Sequence, residues 1–544
     1  MSPEIMEESQ SRQPDSAEQA CDVFVVGAGI GGLYAVYKFR EQGHSVVGVE
    51  AGADVGGVWF HNRYPGARVD VDSTDYCYFF SAELYNEWQW SERYATQDEL
   101  LRYLKFVADK FDLRRLIHFN TRLTAAEWRD GRWHLETSTG ERFSAQFLIM
   151  ASGNLSAARR PNFPGLDSFR GEWVQTSHWP DRPVEIEGRR VGIIGTGSSG
   201  VQVVPMVARE AEHLYVFQRS PNFSVPAQNS GPDAERYEYV RKHVPETWAE
   251  FLASKAGSSL EMAKLPASAY DGPSLQAELE RRWAAGAHNM GLVFTDQTIN
   301  ADANRIVADF VRNKIRSIVK DPEIAEKLCP TDHPIGTRRL CVDTDYYATF
   351  NRPNVSLVDV RENPIVEIYE QGIRTAGHDF ELDLIIFALG FEAFTGQLDR
   401  IAFRNEAGQA PTDRWRRGPR TYLGLMTCGF PNLFLPTGPG SPSVLANMFA
   451  GNEYHINWIA QLVSFMKDKG FEVVSPTPEA EEAWIRHVAE VAEPLLRRQV
   501  RNYMVHVNPD DQSRVFVPYA GGFDAYVRRC EQIAAAGYEG FAFS

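Results

Sequence analysis

"CDVFVVGAGIGGLYAVYKFREQGHSVVGVEAG", residues 21 to 52, decides the fold. An apolar, largely β-branched run comes first, then a glycine loop, a helical stretch and a second β-branched run. That order predicts one strand–helix–strand unit. Gly27, Gly29 and Gly32 supply the spacing GxGxxG. Without Cβ atoms at these positions the backbone can turn tightly and approach a pyrophosphate at a helix N-terminus. Glu50 closes the second strand, where a carboxylate can accept hydrogen bonds from ribose hydroxyls. The stretch therefore predicts a dinucleotide site.

The same order returns at "RRVGIIGTGSSGVQVVPMVAREAEHLYVFQRS", residues 189 to 220. Gly195, Gly197 and Gly200 repeat the loop, but the second strand ends in Arg219 and Ser220 instead of an acid. A guanidinium suits a 2′-phosphate that a carboxylate would repel. One site thus takes a dinucleotide with a free ribose, the other NADPH. Two dinucleotides in one chain indicate electron transfer between them, with FAD at the first site and NADPH at the second.

The fold class expected is α/β, with two Rossmann-like dinucleotide-binding domains and a helical insertion. Residues 1 to 20 are polar and acidic and read as a disordered N-terminal arm, with no signal peptide. Residues 21–155 with 384–544 are assigned to FAD, and 156–224 with 331–383 to NADPH. Residues 225–330 form the insertion, where Val307, Phe310, Val311, Ile315 and Ile318 fall on one helical face. Asp130-Gly131 is a hairpin signal between two short strands.

Composition narrows the function classes. The 544 residues are 43% hydrophobic and 24% charged, which suits a multidomain globular chain. A formal net charge of -16 with no Lys/Arg-rich run disfavours nucleic acid. The longest clean apolar stretch, "LIIFALGF" at 384 to 391, is too short to cross a bilayer. Six scattered cysteines form no CxxC pair, so neither a metal site, a disulfide framework nor a dithiol reductase is indicated. A reduced cytoplasm is the simplest location, and the chain is expected as a monomer or weak homo-oligomer.

Two further stretches separate the flavin-enzyme classes. "GGVWFHNRYPGARVDVDS" (56 to 73) carries Gly57, Trp59, Tyr64, Pro65, Gly66 and Asp70. "FRGEWVQTSHWP" (169 to 180) carries Phe169, Gly171, Trp179 and Pro180. With "GTRRLCVDTDYYATFN", "GPRTYLGLMTCGFPNLF" and "GPGSPSVLANM", these resemble the flavin-dependent Baeyer–Villiger monooxygenases, most nearly the phenylacetone and steroid monooxygenase branch. The likeness runs from about residue 20 to the C-terminus.

The resemblance implies FAD, NADPH and O2. A C4a-peroxide of the reduced flavin would insert one oxygen beside a ketone carbonyl to give an ester or lactone. It makes Gly57 and Trp59 part of the cofactor site, Arg339 the stabiliser of the anion, and Asp70 the acid that orients Arg339. Arg338 is implied at the NADPH 2′-phosphate. Ser441, Leu445, Met448 and Asn502 would line the substrate pocket, under a mobile loop near 497 to 517. Two positions depart from the family pattern. Gln175 stands where the fingerprint FxGxxxHxxxWP has histidine, and Asn502 stands where the loop usually has tryptophan. Gln175 cannot titrate, so cofactor handling is open to change. A sulfide or amine oxygenase, a poorly coupled NADPH oxidase and a catalytically silent flavin-binding sensor remain as alternatives at this point.

Overall fold

The computed structural model describes residues 17–544. Most of the expected N-terminal arm lies outside the described residues. Gln19 and Ala20, counted in that arm, already belong to the first strand, Gln19–Val26.

Two sheets organise the molecule, the first mixed and the second parallel. In the first, Gln19–Val26 lies between Val46–Val49 and Arg142–Ile149, parallel to both. Val23, Phe24 and Val25 are completely buried, which explains why this strand reads as a continuous apolar run. The helix Ile30–Glu41 follows the first glycine loop and buries Leu33, Tyr34, Val36 and Phe39 against the core. Leu123–Arg129, Arg132–Thr137 and Arg142–Ile149 extend the sheet as an antiparallel meander. Its hairpin turns at Asp130 and Gly131, both in the left-handed region as the Asp-Gly pair predicts.

The second sheet has five parallel strands, in the order Val355–Asp359, His213–Gln218, Arg190–Ile194, Leu384–Phe387 and Glu172–Gln175. This corrects the expected boundary at 384. Leu384–Phe387 pairs on both edges within the second sheet, all four of its side chains buried, so the chain leaves this unit only after residue 387. A buried parallel strand must be hydrogen-bonded on both sides, and the sequence does not state which sheet supplies the partners.

Between the strands Ser224–Pro226 and Cys341–Asp343 the chain is mainly helical. Asp233, Asp271, Asn300 and Asp321 cap four of its helices through side-chain oxygens. In Ala301–Ile318 the expected face is confirmed: Val307, Phe310, Val311 and Ile315 are buried. Among the described residues no helix is long and apolar enough to cross a membrane.

Candidate active site

Both glycine loops stand at the carboxyl end of a central strand, where open α/β sheets bind ligands. In each loop the third glycine is required by the protein itself. A Cβ at Gly32 would lie 1.8 Å from the Gly27 carbonyl oxygen, and one at Gly200 would lie 2.1 Å from that of Gly195. The middle glycine of the second loop differs. A Cβ at Gly197 would meet nothing within 4 Å. Nothing in the protein requires glycine there, and a phosphate group approaching the helix Ser198–Glu210 would. In the first loop Gly29 faces Gly57, whose own Cβ would lie 2.9 Å from the Gly29 Cα.

The strand ends carry opposite charges. Glu50 is only 6% exposed, and its two oxygens accept from the backbone N–H groups of Ala28 and Gly52, each at 2.7 Å. The carboxylate is thus fixed beside the first loop and keeps acceptor capacity for hydroxyl donors. Arg219 is exposed and makes no ion pair among the described residues. Ser220 follows, its carbonyl oxygen accepting from the Thr196 hydroxyl of the second loop at 3.0 Å. These features fit a resident dinucleotide with a free ribose at the first loop and a phosphorylated ribose at the second. Arg338 is half-buried and pairs with Asp332 at 3.1 Å.

An ion pair between Arg339 and Asp70 joins the two units. Arg339 precedes the strand Cys341–Asp343, which pairs in parallel with Ser224–Pro226 just beyond Arg219 and Ser220. Its carbonyl accepts from Asn222 Nδ2 at 3.3 Å. Its guanidinium reaches Asp70, on the loop after the first unit's Trp59 turn. Nη2 donates to both carboxylate oxygens, at 2.8 and 2.6 Å, and Nε donates to Oδ2 at 3.2 Å. The Asp70 loop is itself fastened to the second unit. The Tyr64 hydroxyl donates to Gln202 Oε1 at 2.8 Å, and Gln202 Nε2 donates to the Arg68 carbonyl at 3.1 Å. Burial alone would raise the Asp70 pKa, but the charges of Arg339 and His288 beside it hold the carboxyl well below the usual range. Asp70 in turn keeps Arg339 firmly charged despite its desolvation.

Three residues complete this centre that sequence reasoning did not assign to it. His288 Nε2 lies 3.3 Å from Asp70 Oδ2. Tyr503 stands close to Arg339 and Arg497, whose charges work against the rise in its pKa caused by burial. Arg497 donates to the Gly336 carbonyl at 3.1 Å and has no carboxylate partner among the described residues. No spacing rule could find them, since they come from the insertion and the C-terminal third.

The fingerprint stretch is a strand as well as a link. Glu172–Gln175 forms the edge of the second sheet, with Gln175 opposite Phe387. Gly171 is packed against the Phe169 ring and the Asp383 carbonyl, where a side chain would not fit. Gln175 Nε2 donates to the Arg159 carbonyl at 2.8 Å. Beyond the strand, buried Trp179 donates its backbone N–H to the His61 carbonyl at 3.1 Å, and the rings of His61 and His178 stack at 5.3 Å. Next to it, Pro180 leads into Asp181, which pairs with Arg63 of the first unit. Trp59 and His61 lie in one helical turn, so this contact ties the fingerprint to the first cofactor loop.

The chain is similar to known proteins along nearly its whole length. Residues 20–229 match the model of the flavin-binding monooxygenase-like family. The chain is 41% identical over 539 residues to 2-oxo-Δ(3)-4,5,5-trimethylcyclopentenylacetyl-CoA monooxygenase of Pseudomonas putida, covering 96% of this chain and 98% of that one. It is 38% identical over 523 residues to a Baeyer–Villiger monooxygenase of Pseudooceanicola batsensis, covering 95% of each. A solved structure of oxidised steroid monooxygenase bound to NADP superposes with a TM-score of 0.92, at 45% identity, over 96% of this chain and 99% of that one. The chain belongs to the Baeyer–Villiger monooxygenase family.

Within this member of the family the expected pocket residues do not all behave alike. Ser441 is fully buried and spends its hydroxyl on the Gly438 carbonyl at 2.7 Å. Leu445 packs with Phe394, Met504, Val505 and Phe516, and so supports the hairpin Val505–Val507/Arg514–Phe516. Met448 is half-buried at the start of the helix Met448–Lys469. Asn502 is half-buried and bonds within its own loop. Its Nδ2 donates to the carbonyls of Arg497 and Val500, and its Oδ1 accepts from Met504 N–H at 2.8 Å. A short amide closes its own loop by such bonds, where an indole would have to extend away from it. Its neighbour Tyr503 is the residue that faces Arg339.

Proposed function

We propose that this protein is an FAD- and NADPH-dependent monooxygenase that inserts one oxygen atom of O2 beside a ketone carbonyl, giving an ester or lactone. The observation that carries this reading is the Arg339–Asp70 pair, built from both nucleotide units and set between a loop suited to FAD and one suited to NADPH. When bound, the flavin supplies hydride acceptance and oxygen activation, which no side chain here can provide.

The chain's own residues bind, orient and neutralise. Backbone N–H groups at the start of Ile30–Glu41 would hold the FAD pyrophosphate and Glu50 its ribose. Gly57 and Trp59 extend that site. The Gly195–Gly200 loop would take the NADPH pyrophosphate, with Arg219, Ser220 and Arg338 around the 2′-phosphate. Arg339 supplies a fixed positive charge where negative charge develops on the attacking oxygen and on the former carbonyl oxygen. Such preorganised donors are worth about 10²–10³ in rate. Asp70 sets the direction of that guanidinium. Ser441, Leu445 and Met448 lie in the segment that would shape the ketone pocket. Tyr503 and Arg497 bring the 497–517 loop onto the same centre, where its closure would exclude water. We place the enzyme in the cytoplasm on its six free cysteines, and as a monomer or weak homo-oligomer.

The test is direct. Purified holoenzyme, scored for FAD content, is given NADPH, air and a panel of linear, aromatic and cyclic ketones. Ester or lactone formed with 18O from labelled O2, one atom per NADPH, is the expected result. NADPH oxidation that yields only H2O2 across the panel, or products labelled from water, would reject the reading.

A further inference from the structure

The turn that carries His288 is strained and firmly anchored. The helix Gly272–Ala285 ends at Gly286, with φ +71°, and Ala287 follows at φ +48°. A non-glycine residue in the left-handed region is strained and persists only where its surroundings hold it. Here the holding groups are visible. Asn289 Nδ2 donates to the Gly286 carbonyl at 2.8 Å. A Cβ on Gly286 would lie 2.6 Å from the Ala227 carbonyl, so the turn is pressed onto that residue. Ala227 N–H in turn donates to the Asp343 carbonyl at 2.8 Å, at the end of the strand that follows Arg339. His288 and Arg339 are therefore mounted on one frame, and both reach the same oxygen of Asp70, at 3.3 and 2.6 Å.

Resting on the function proposed above, we propose that His288 is a positioning residue of the oxygenating centre, holding the Asp70 carboxylate together with Arg339. The other charged groups around the turn are already paired. Arg93 donates to the Ala285 carbonyl and to Asp72, and Arg282 binds Glu278 and, at 3.5 Å, Asn289. Asp70 is thus the one carboxylate facing the ring among the described residues.

The experiment has two arms on the FAD-loaded enzyme. In the first, 15N-histidine spectra are recorded for the unaltered protein, His288→Gln and Asp70→Asn. The ring signals missing from His288→Gln belong to His288, and Asp70→Asn should move them; unmoved signals overturn the proposal. This arm uses no ketone, so it reads the contact even if the enzyme makes no ester, a result that would sink the proposed function instead. In the second arm, ester formed per NADPH oxidised is compared for the unaltered enzyme, His288→Gln and His288→Asn. Both variants should keep their FAD and form ester more slowly on the order of tenfold, the size of one lost hydrogen bond to a charged group. Agreement between the two variants separates the lost contact from a folding defect of one of them. Ester turnover equal to the unaltered enzyme's in both variants would overturn the proposal.

Discussion

The two glycine loops share a backbone and differ in how much of the ligand site is built beforehand. At the first, the recognising group is finished: Glu50 is buried, and both of its oxygens are held by backbone N–H groups. At the second, the recognising group is a loose end: Arg219 projects into solvent without an ion-pair partner among the described residues. A preorganised site loses little side-chain entropy on binding, whereas a mobile arginine must be ordered each time. The first design suits a cofactor that stays, the second a coenzyme that arrives and leaves. On the function proposed here, the same fold would supply a resident and an exchanging partner by changing one residue at the end of one strand.

The strongest way to break this comparison is at the pair that joins the two sites. Arg339→Ala should retain FAD and normal NADPH affinity within a few-fold, yet lose ester formation by about 10²–10³. Near-normal ester yield, measured by gas chromatography, would show that the junction is structural.

Next comes the charge contrast itself. Glu50→Gln should weaken FAD retention by about 10–100-fold, because a hydrogen bond to a charged group is lost from a buried site. Arg219→Ala should raise the KM for NADPH about tenfold while that for NADH hardly moves. Flavin content after gel filtration and paired coenzyme kinetics check the two halves. Equal losses for NADPH and NADH would remove Arg219 from the 2′-phosphate.

A smaller effect separates glycines kept for the protein from those kept for the ligand. Gly200→Ala puts a methyl 2.1 Å from a backbone carbonyl and should lower stability by about 1–3 kcal/mol. Gly197→Ala meets no protein atom and should leave the melting temperature unchanged while weakening NADPH binding. Equal melting temperatures for the two variants would erase the distinction.

The smallest expected effect is at Gln175, on the edge of the second sheet. Gln175→His loses the bond to the Arg159 carbonyl, worth about 1 kcal/mol, and gains a group that titrates. NADPH consumption, ester and H2O2 compared across about pH 5 to 8 should show a pH dependence that differs from the parent's. A large fall in melting temperature with unchanged profiles would make the stretch purely structural.

Much of this was legible from residue order. Both strand–helix–strand units, their glycines and the opposite charges at Glu50 and Arg219 are local patterns, fixed by spacing along one turn or one strand. The turn at Asp130-Gly131 and the buried face of Ala301–Ile318 are of the same kind. The side of residue 384 on which the sheet closes was not legible, because hydrogen-bond partners of a buried strand come from elsewhere in the chain. The local bonds of Asn502 were not legible either: its short amide satisfies backbone groups two and five residues away, and nothing in the spacing announces them.

The sequence by itself determined two nucleotide loops, the sign of the charge beside each, and a likeness that brought Asp70 and Arg339 to attention. Only the tertiary structure decided that these two, 269 residues apart in the chain, share one ion pair. It also decided that His288, Arg497 and Tyr503 gather around that pair from distant segments. Loop geometry follows from short-range sterics, which residue types encode directly. The charge state of a catalytic centre follows from which side chains are packed within a few ångströms and shielded from water, and that is a property of the folded chain alone.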